Sequence, residues 1–77
     1  MDELLNRIAT DAKVMLGKPV VRGTRITVEH IMRELAGGIT AAELVDMHPQ
    51  VSLDDIRAAC AYAASRVAED RGLFVAE

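Results

Sequence analysis

The amino-acid sequence predicts a mainly α-helical domain: a homeodomain-like, three-helix bundle with a helix-turn-helix, preceded by short β-strands or an arm. Two observations lead to this fold class. Helix start signals of one kind recur three times between residues 26 and 56, and a stretch of β-prone residues broken by glycine and proline precedes them. The three helices are expected at residues 28–36, 41–47 and 53–70.

Each helix is expected to begin after a hydroxyl residue, namely Thr27, Thr40 or Ser52. A hydroxyl at this position accepts a hydrogen bond from a backbone N–H of the first turn, and flanking apolar residues form a hydrophobic staple. Thr40 and Glu43 also match a capping box, and Asp55 stands at the same distance after Ser52. The stapling pairs are Ile26 with Ile31, Ile39 with Leu44, and Val51 with Ile56.

The helix ends are equally well marked. Gly37-Gly38 ends the first helix because glycine takes the left-handed conformation at little cost, and Gly72 is expected to end the third. Pro49 ends the second, because the residue before a proline avoids the α region. Residues 48–51 then form the turn of a helix-turn-helix. The apolar face of the third helix is predicted to include Cys60 as a small buried residue.

The stretch between Lys13 and Val28 reads as short strands joined by turns, forming a hairpin or an arm. Because an isolated two-stranded hairpin is marginal in water, these strands must pack on the helices or on a second copy of the chain. Residues 1–10 fit either a short helix or the approach to a strand, and the sequence does not decide between the two.

The length of 77 residues predicts one domain, made of strands or a basic arm (1–27), helices (28–70) and an apolar tail (71–77). A core of this size is marginal, and a single cysteine forms no internal disulfide. A homodimer is therefore expected to supply further stabilisation. We see no signal peptide and no membrane span, and one free cysteine suits the reducing cytoplasm.

The charge of the chain is unevenly distributed. The net charge is −3, yet residues 12–28 hold four basic residues and no acid, so this segment carries +4 and the remainder −7. Such asymmetry is typical of a basic contact surface on an acidic body, with a merely solvated basic loop as the alternative. The candidate DNA contacts in the segment are Lys18, Arg22 and Arg25, with Thr24 as a neutral phosphate contact.

Gly23 lies between the two arginines of this segment. A tight turn at Gly23 would present Arg22 and Arg25 from one side of the protein. If the φ angle of Gly23 is positive, a β-branched residue at this position should distort the turn.

The start of the third helix is a second candidate for DNA contact. In a helix-turn-helix, the N-terminal residues of the second motif helix meet the major groove. Asp54 and Asp55 stand there, and they suit a helix N-terminus better than a polyanion. The remaining candidates at this end are Gln50, Ser52 and Arg57.

We expect no catalytic residue, no metal site and no cofactor. His30 and His48 match no metal-binding spacing, and Gly17-Lys18 lacks the other residues of a phosphate-binding loop. The chain is also short for a walled active-site pocket. The sequence therefore predicts a binding protein and not an enzyme.

Three runs of sequence, residues 17–28, 38–44 and 49–59, together resemble the family catalogued as domain of unknown function 433. The run Gly-Lys-Pro-Val-Val-Arg-Gly-Thr-Arg-Ile is the most distinctive, and the resemblance spans residues 7–67. Members look like VapB-like antitoxins of bacterial and archaeal type II toxin–antitoxin operons. The resemblance implies a homeodomain-like fold after short strands, neutralisation of a toxin similar to PIN-type ribonucleases, and repression of the operon through operator DNA.

The apolar tail is the expected toxin contact, because an extended apolar segment can add a strand to a partner's sheet. Its candidate residues are Leu73, Phe74 and Val75, which alternatively fold back on the chain's own core or on a dimer mate. A protein-interaction module of the same fold without DNA binding is the alternative to a DNA-binding antitoxin.

Overall fold

A computed structural model describes residues 2–69 of the chain. This part is mostly helical, with a two-stranded antiparallel sheet in which Ile8 lies opposite Val21 and Ala9 opposite Val20. The elements are α1 (Asp2–Leu5), β1 (Ile8–Ala9), β2 (Val20–Val21), α2 (Val28–Ala36), α3 (Ala41–Met47) and α4 (Leu53–Glu69). No helix among these residues is long and apolar enough to cross a membrane.

The predicted helix starts are confirmed. The Thr27 hydroxyl accepts a hydrogen bond from the His30 N–H at 2.9 Å. Thr40 and Glu43 form the predicted reciprocal capping box. Helices α2 and α3 have the predicted bounds, and α4 is helical from Leu53 to Glu69, where the described residues end.

The hydrophobic core lies where α2, α3 and α4 meet. Ile31 of α2, Leu44 of α3 and Val51 of the turn before α4 are its largest fully buried side chains. The strands belong to the same core, since Ile8 and Val21 are also buried in it. The segment before the helices is therefore packed on them and is no free arm.

Residues 2–9 contain both of the alternatives that the sequence did not decide between, a short helix and a strand. Helix α1 is followed directly by β1, and α1 packs against α4. Strand β2 pairs with β1, while Val20 also bridges to Thr27. The hairpin predicted within residues 13–28 is thus only part of the pairing, because one strand comes from residues 8–9.

The burial predicted for Cys60 is wrong, since this cysteine is exposed. The buried side of α4 runs through Asp55, Ile56 and Ala59. A residue of an α-helix turns 100° from its neighbour, so Cys60 is directed away from the middle of that face. Alanine-rich helices show weak apolar periodicity, which is why the sequence misplaced this position.

Candidate nucleic-acid interface

The candidate surface is built by two neighbouring loops. The first joins α3 to α4, and it is held by a hydrogen bond from the Val51 N–H to the His48 carbonyl at 2.8 Å. Val51 is 2% exposed, which anchors the loop in the core. Gln50, directly before it, is exposed on the surface.

The second loop joins β2 to α2 and carries Arg25. The Val21 N–H donates to the Ile26 carbonyl at 2.9 Å, which closes the loop. The Thr24 hydroxyl donates to the Val21 carbonyl at 2.8 Å and accepts from the Ile26 N–H at 3.0 Å. Thr24 therefore fixes the turn, and its hydroxyl already has two internal partners.

The φ angle of Gly23 is positive, at 81°. This is the condition under which a β-branched residue is predicted to distort the turn. A Cβ added to Gly23 would meet no atom within 4 Å, so the glycine is required for its backbone conformation and not for space. This conformation costs glycine little and other residues more.

These two loops meet at a surface depression that we call the Arg25 hollow. It brings together three of the predicted DNA contacts, Thr24, Arg25 and Gln50. Arg25 is exposed, and its guanidinium takes part in none of the ion pairs formed among residues 3–69. One carboxylate, Asp11, also lines the depression, and it accepts a hydrogen bond from the Lys13 N–H at 2.9 Å. The other lining residues are Ala9, Val14, Val20 and Gly23.

Arg22 lies elsewhere. Its guanidinium donates to the carbonyl of Asn6 at 2.8 Å and to the carbonyl of Ile8 at 3.4 Å. It borders a different depression, the Arg22 hollow, which is lined by Glu3, Asn6, Arg7, Arg22 and Asp55. The prediction that the turn presents both arginines from one side is therefore wrong, because Arg22 reaches back to tie β2 to the end of α1.

Lys18 is part of an exposed ion-pair group on α2. Its ammonium lies 3.0 Å from Glu29, which also pairs with Arg33 at 2.9 Å. The hydrogen bond from Lys18, with the charges of Lys18 and Arg33, lowers the pKa of Glu29 below its usual value. Lys18 thus has a carboxylate partner within the protein, although exposed pairs of this kind exchange readily with solvent ions.

The start of α4 is a charge-balanced cap. Ser52 and Asp55 form a second capping box: the Ser52 N–H donates to the Asp55 carboxylate at 2.9 Å, and the Asp55 N–H donates to the Ser52 hydroxyl at 3.1 Å. The Arg7 guanidinium donates to the other Asp55 oxygen at 3.1 Å. Arg57 pairs with Asp54 at 3.5 Å. Ser52 and Arg57 therefore have partners within the protein, as does each acid of the Asp54-Asp55 pair.

The surroundings of Asp55 favour its charged form. Burial by itself would raise the pKa of its carboxyl group, but hydrogen bonds from the Ser52 N–H and from Arg7 outweigh burial and lower the pKa below its usual value. The predicted capping role of Asp55 is confirmed, and the Arg7 charge offsets the repulsion that this carboxylate would exert on DNA.

Sequence reasoning missed two further residues, Arg7 and Leu16. Arg7 is separated from Asp55 by 48 positions, so no local pattern reveals their contact. Leu16 is 93% exposed and has a φ of 60°, next to Met15 at 49° and Gly17 at 83°. Consecutive left-handed residues other than glycine are uncommon and occur disproportionately at functional sites.

The two histidine rings lie in contact with each other. Their rings meet edge to face with centroids 5.6 Å apart, and His30 lies 3.4 Å from Glu34. In the part of the chain that the structure covers, no three His, Cys, Asp or Glu residues are grouped as metal ligands would be. The predicted toxin contacts, Leu73, Phe74 and Val75, lie outside the described residues.

The comparisons with other proteins give a family and one short match. The model of a family described as "Protein of unknown function (DUF433)" matches residues 8–63. An "Uncharacterized protein" of Archaeoglobus fulgidus is 52% identical over 29 residues, which cover 38% of this chain and 81% of that relative. No solved structure matches the chain.

Proposed function

The chain belongs to the DUF433 family of proteins of unknown function, and from that premise we propose that it is a cytoplasmic antitoxin. In this proposal it is a homodimeric, homeodomain-like helix-turn-helix protein. It binds operator DNA and neutralises a toxin similar to PIN-type ribonucleases. The antitoxin role comes from the resemblance of residues 7–67 to proteins of such operons, and the DNA contact comes from the arrangement of side chains described above.

One observation carries the DNA-binding part of the proposal: Thr24, Arg25 and Gln50 meet at the Arg25 hollow. An unpaired guanidinium suits a phosphate or the edge of a guanine, and a glutamine amide suits the edge of an adenine. Gln50 lies on the α3–α4 turn, directly before the helix that would be the recognition helix of a helix-turn-helix.

The neutralised start of α4 supports the same surface. A recognition helix that began with two unpaired carboxylates would repel the phosphate backbone. Here Asp55 is bound by Arg7, and Asp54 lies between Arg57 at 3.5 Å and Arg7 at 3.7 Å. The approach of a duplex to this end of the protein is therefore not opposed by two free negative charges.

The experiment is a fluorescence-anisotropy titration of duplex DNA from the region upstream of the protein's own reading frame, repeated at several salt concentrations. We expect the affinity to fall steeply with salt, as counterion release requires. Arg25→Ala should weaken binding about tenfold and reduce the slope of log Kd against log salt by about one per protomer.

Arg33→Ala is the matched control, because Arg33 is also exposed but pairs with Glu29 on α2. It should leave the affinity within about twofold of the unmutated protein. Equal losses in both variants would mean that the Arg25 hollow is not the DNA contact. No binding at low salt, together with a tight complex with the product of the neighbouring gene, would favour the protein-interaction module without DNA binding.

A further inference from the structure

The loop between β1 and β2 contains a tight turn, Met15–Gly17, which we call the Leu16 turn. Leu16 is 93% exposed, far more than Leu53 at 55%, the next most exposed large apolar side chain among residues 2–69. Met15 beside it is 40% exposed. Leu16 therefore adds almost no apolar burial to the fold, and its side chain is available for burial by another molecule.

Hydrogen bonds hold the Leu16 turn in one conformation. The Gly17 N–H donates to the Val14 carbonyl at 3.0 Å, and the Lys18 N–H donates to the Met15 carbonyl at 3.1 Å. Met15 and Leu16 have φ angles of 49° and 60°, in the left-handed region that such side chains rarely adopt. Backbone of this kind persists where the surrounding structure fixes it, and it concentrates at sites of contact. The turn thus presents Leu16 in a fixed position despite a conformational cost.

The Leu16 turn stands beside the Arg25 hollow. Val14, which lines the hollow, comes two residues before Leu16. Two residues of chain span about 7 Å at most. The grooves of B-DNA are about 6–12 Å wide, so a duplex seated on the hollow comes within reach of Leu16. The turn and the hollow are therefore neighbouring parts of one surface.

The charges around the turn favour a nucleic acid over an apolar pocket of a protein as the occupant. Lys13 and Arg25 are exposed and take part in none of the ion pairs formed among residues 3–69. They outnumber Asp11, the carboxylate that lines the hollow. A protein pocket that covered Leu16 would also draw the Lys13 ammonium towards apolar groups, which is costly for an unpaired charge. Against DNA, the same cations lie near phosphates.

We propose that Leu16 is a wedge that enters the minor groove of the bound duplex and inserts between two neighbouring base pairs, so that the DNA is kinked. Leucine and methionine are among the side chains that DNA-bending proteins insert in this way, with kinks of about 20–90°. The expected place is a pyrimidine–purine step, because such steps unstack most easily. This inference rests on the DNA binding of the proposed function, and it adds the shape of the bound DNA.

A fixed turn suits this role. Insertion costs the stacking between two base pairs, and burial of the Leu16 and Met15 side chains against the bases offsets that cost. A flexible loop would also have to be ordered on binding, whereas the Leu16 turn is already held by its hydrogen bonds in the free protein. An exposed leucine on a rigid, basic protrusion therefore has the properties that a wedge requires.

The test measures the shape of the duplex separately from the affinity. Duplexes of about 30 base pairs, taken from the region upstream of the protein's own reading frame, carry a donor and an acceptor dye at their two ends. A kink brings the dyes closer and raises energy transfer. In a second set of duplexes, 2-aminopurine replaces adenine at each pyrimidine–purine step in turn, and its fluorescence rises when the base is unstacked. Every variant is measured at a protein concentration that saturates the duplex.

We expect the unmutated chain to raise energy transfer and to raise 2-aminopurine fluorescence at one step. Leu16→Asn, which suits the left-handed backbone, should bind the duplex and leave it straight and stacked. Leu16→Met keeps a long apolar side chain and should retain most of the kink. Arg25→Ala should bind more weakly and, once saturated, still kink the duplex.

Val67→Asn is the matched control for the loss of an exposed apolar side chain. Val67 is 54% exposed and lies 14 residues, or about 21 Å, beyond the first residue of α4. This variant should kink the duplex as strongly as the unmutated chain does.

The wedge and the DNA binding fail in different ways. A duplex that the unmutated chain binds but leaves straight and stacked overturns the wedge and leaves DNA binding intact. So does a kink of unchanged size with Leu16→Asn, because the bend would then come from other contacts. If no duplex is bound at low salt, the wedge fails together with the DNA-binding part of the proposed function. A complex with the product of the neighbouring gene that Leu16→Asn weakens would in that case assign the turn to a protein contact.

Discussion

Residues 28–69 and residues 2–27 are held in place by contacts of different range. Each helix of residues 28–69 begins with a local hydrogen bond, in which the hydroxyl of Thr27, Thr40 or Ser52 accepts from a backbone N–H three residues later. In the earlier part the fixing contacts run across the chain, from Arg22 to the carbonyl of Asn6 and from Arg7 to Asp55. Arg7 and Arg22 therefore stabilise the fold through internal contacts. This leaves Arg25 as the arginine of residues 2–27 that is best placed to bind another molecule.

The largest expected effects come from the core that both parts share. Val21 of β2 is 2% exposed and Val28 of α2 is 5% exposed. Replacing either valine with alanine removes two buried methyl groups and leaves a small cavity. Each variant should therefore lose about 2 kcal/mol of unfolding free energy. Urea denaturation followed by circular dichroism measures the loss. If Val21→Ala were neutral while Val28→Ala was destabilising, residues 2–27 would be an independent arm after all.

The next effect concerns the contact that joins the two parts. Asp55→Ala removes the bond to Arg7 and half of the Ser52 capping box, so we expect a loss of about 2 kcal/mol at neutral pH. Asp54→Ala is the matched control. Its carboxylate is 54% exposed and lies farther from Arg7, so it should cost much less.

The same contact predicts a pH dependence. Because the pKa of Asp55 is lower in the folded protein than its ordinary value of 3.8, its charged form stabilises the fold above that value. This stabilisation is lost as the pH falls through 3.8 and then through the lowered pKa. The difference in unfolding free energy between the unmutated chain and Asp55→Ala should therefore shrink below about pH 4. A difference that is constant from pH 7 to pH 2 would contradict a charged Asp55 in this role.

The parts of the structure that could be predicted from the sequence are those held by contacts between near neighbours in the chain. The capping hydroxyls act on a backbone N–H three residues away, the glycines after α2 through their own conformation, and the proline after α3 on the residue before it. All of these effects are local, so the bounds of α2 and α3 were predictable. The direction of Arg22 was not, because its partners are main-chain carbonyls, which every residue has. Cys60 was misplaced because so many α4 residues are small that their pattern leaves the buried side of the helix open.

The candidate site was predictable in part for the same reason. Arg25, Thr24 and Gln50 were singled out by residue type, and the fold brings these three together. Arg25 and Gln50 are 25 positions apart in the sequence, and no local signal fixes the approach of the two loops that carry them. Arg7 was overlooked although it neutralises an acid at the start of α4, since a single arginine near a chain end carries no motif.

The smallest expected effect concerns Leu16, whose backbone conformation lowers the stability of the fold. Leu16 is 93% exposed, so it contributes no burial, and its left-handed backbone is unfavourable for leucine. Asparagine tolerates this conformation better, so Leu16→Asn should raise the unfolding free energy by about 0.5 kcal/mol. Met47→Asn, at a position 51% exposed in α3, should give no such gain. A gain at Leu16 would show that the leucine is retained at the expense of folding, which indicates selection for a contact with a partner. A loss at Leu16 would instead assign the leucine to folding.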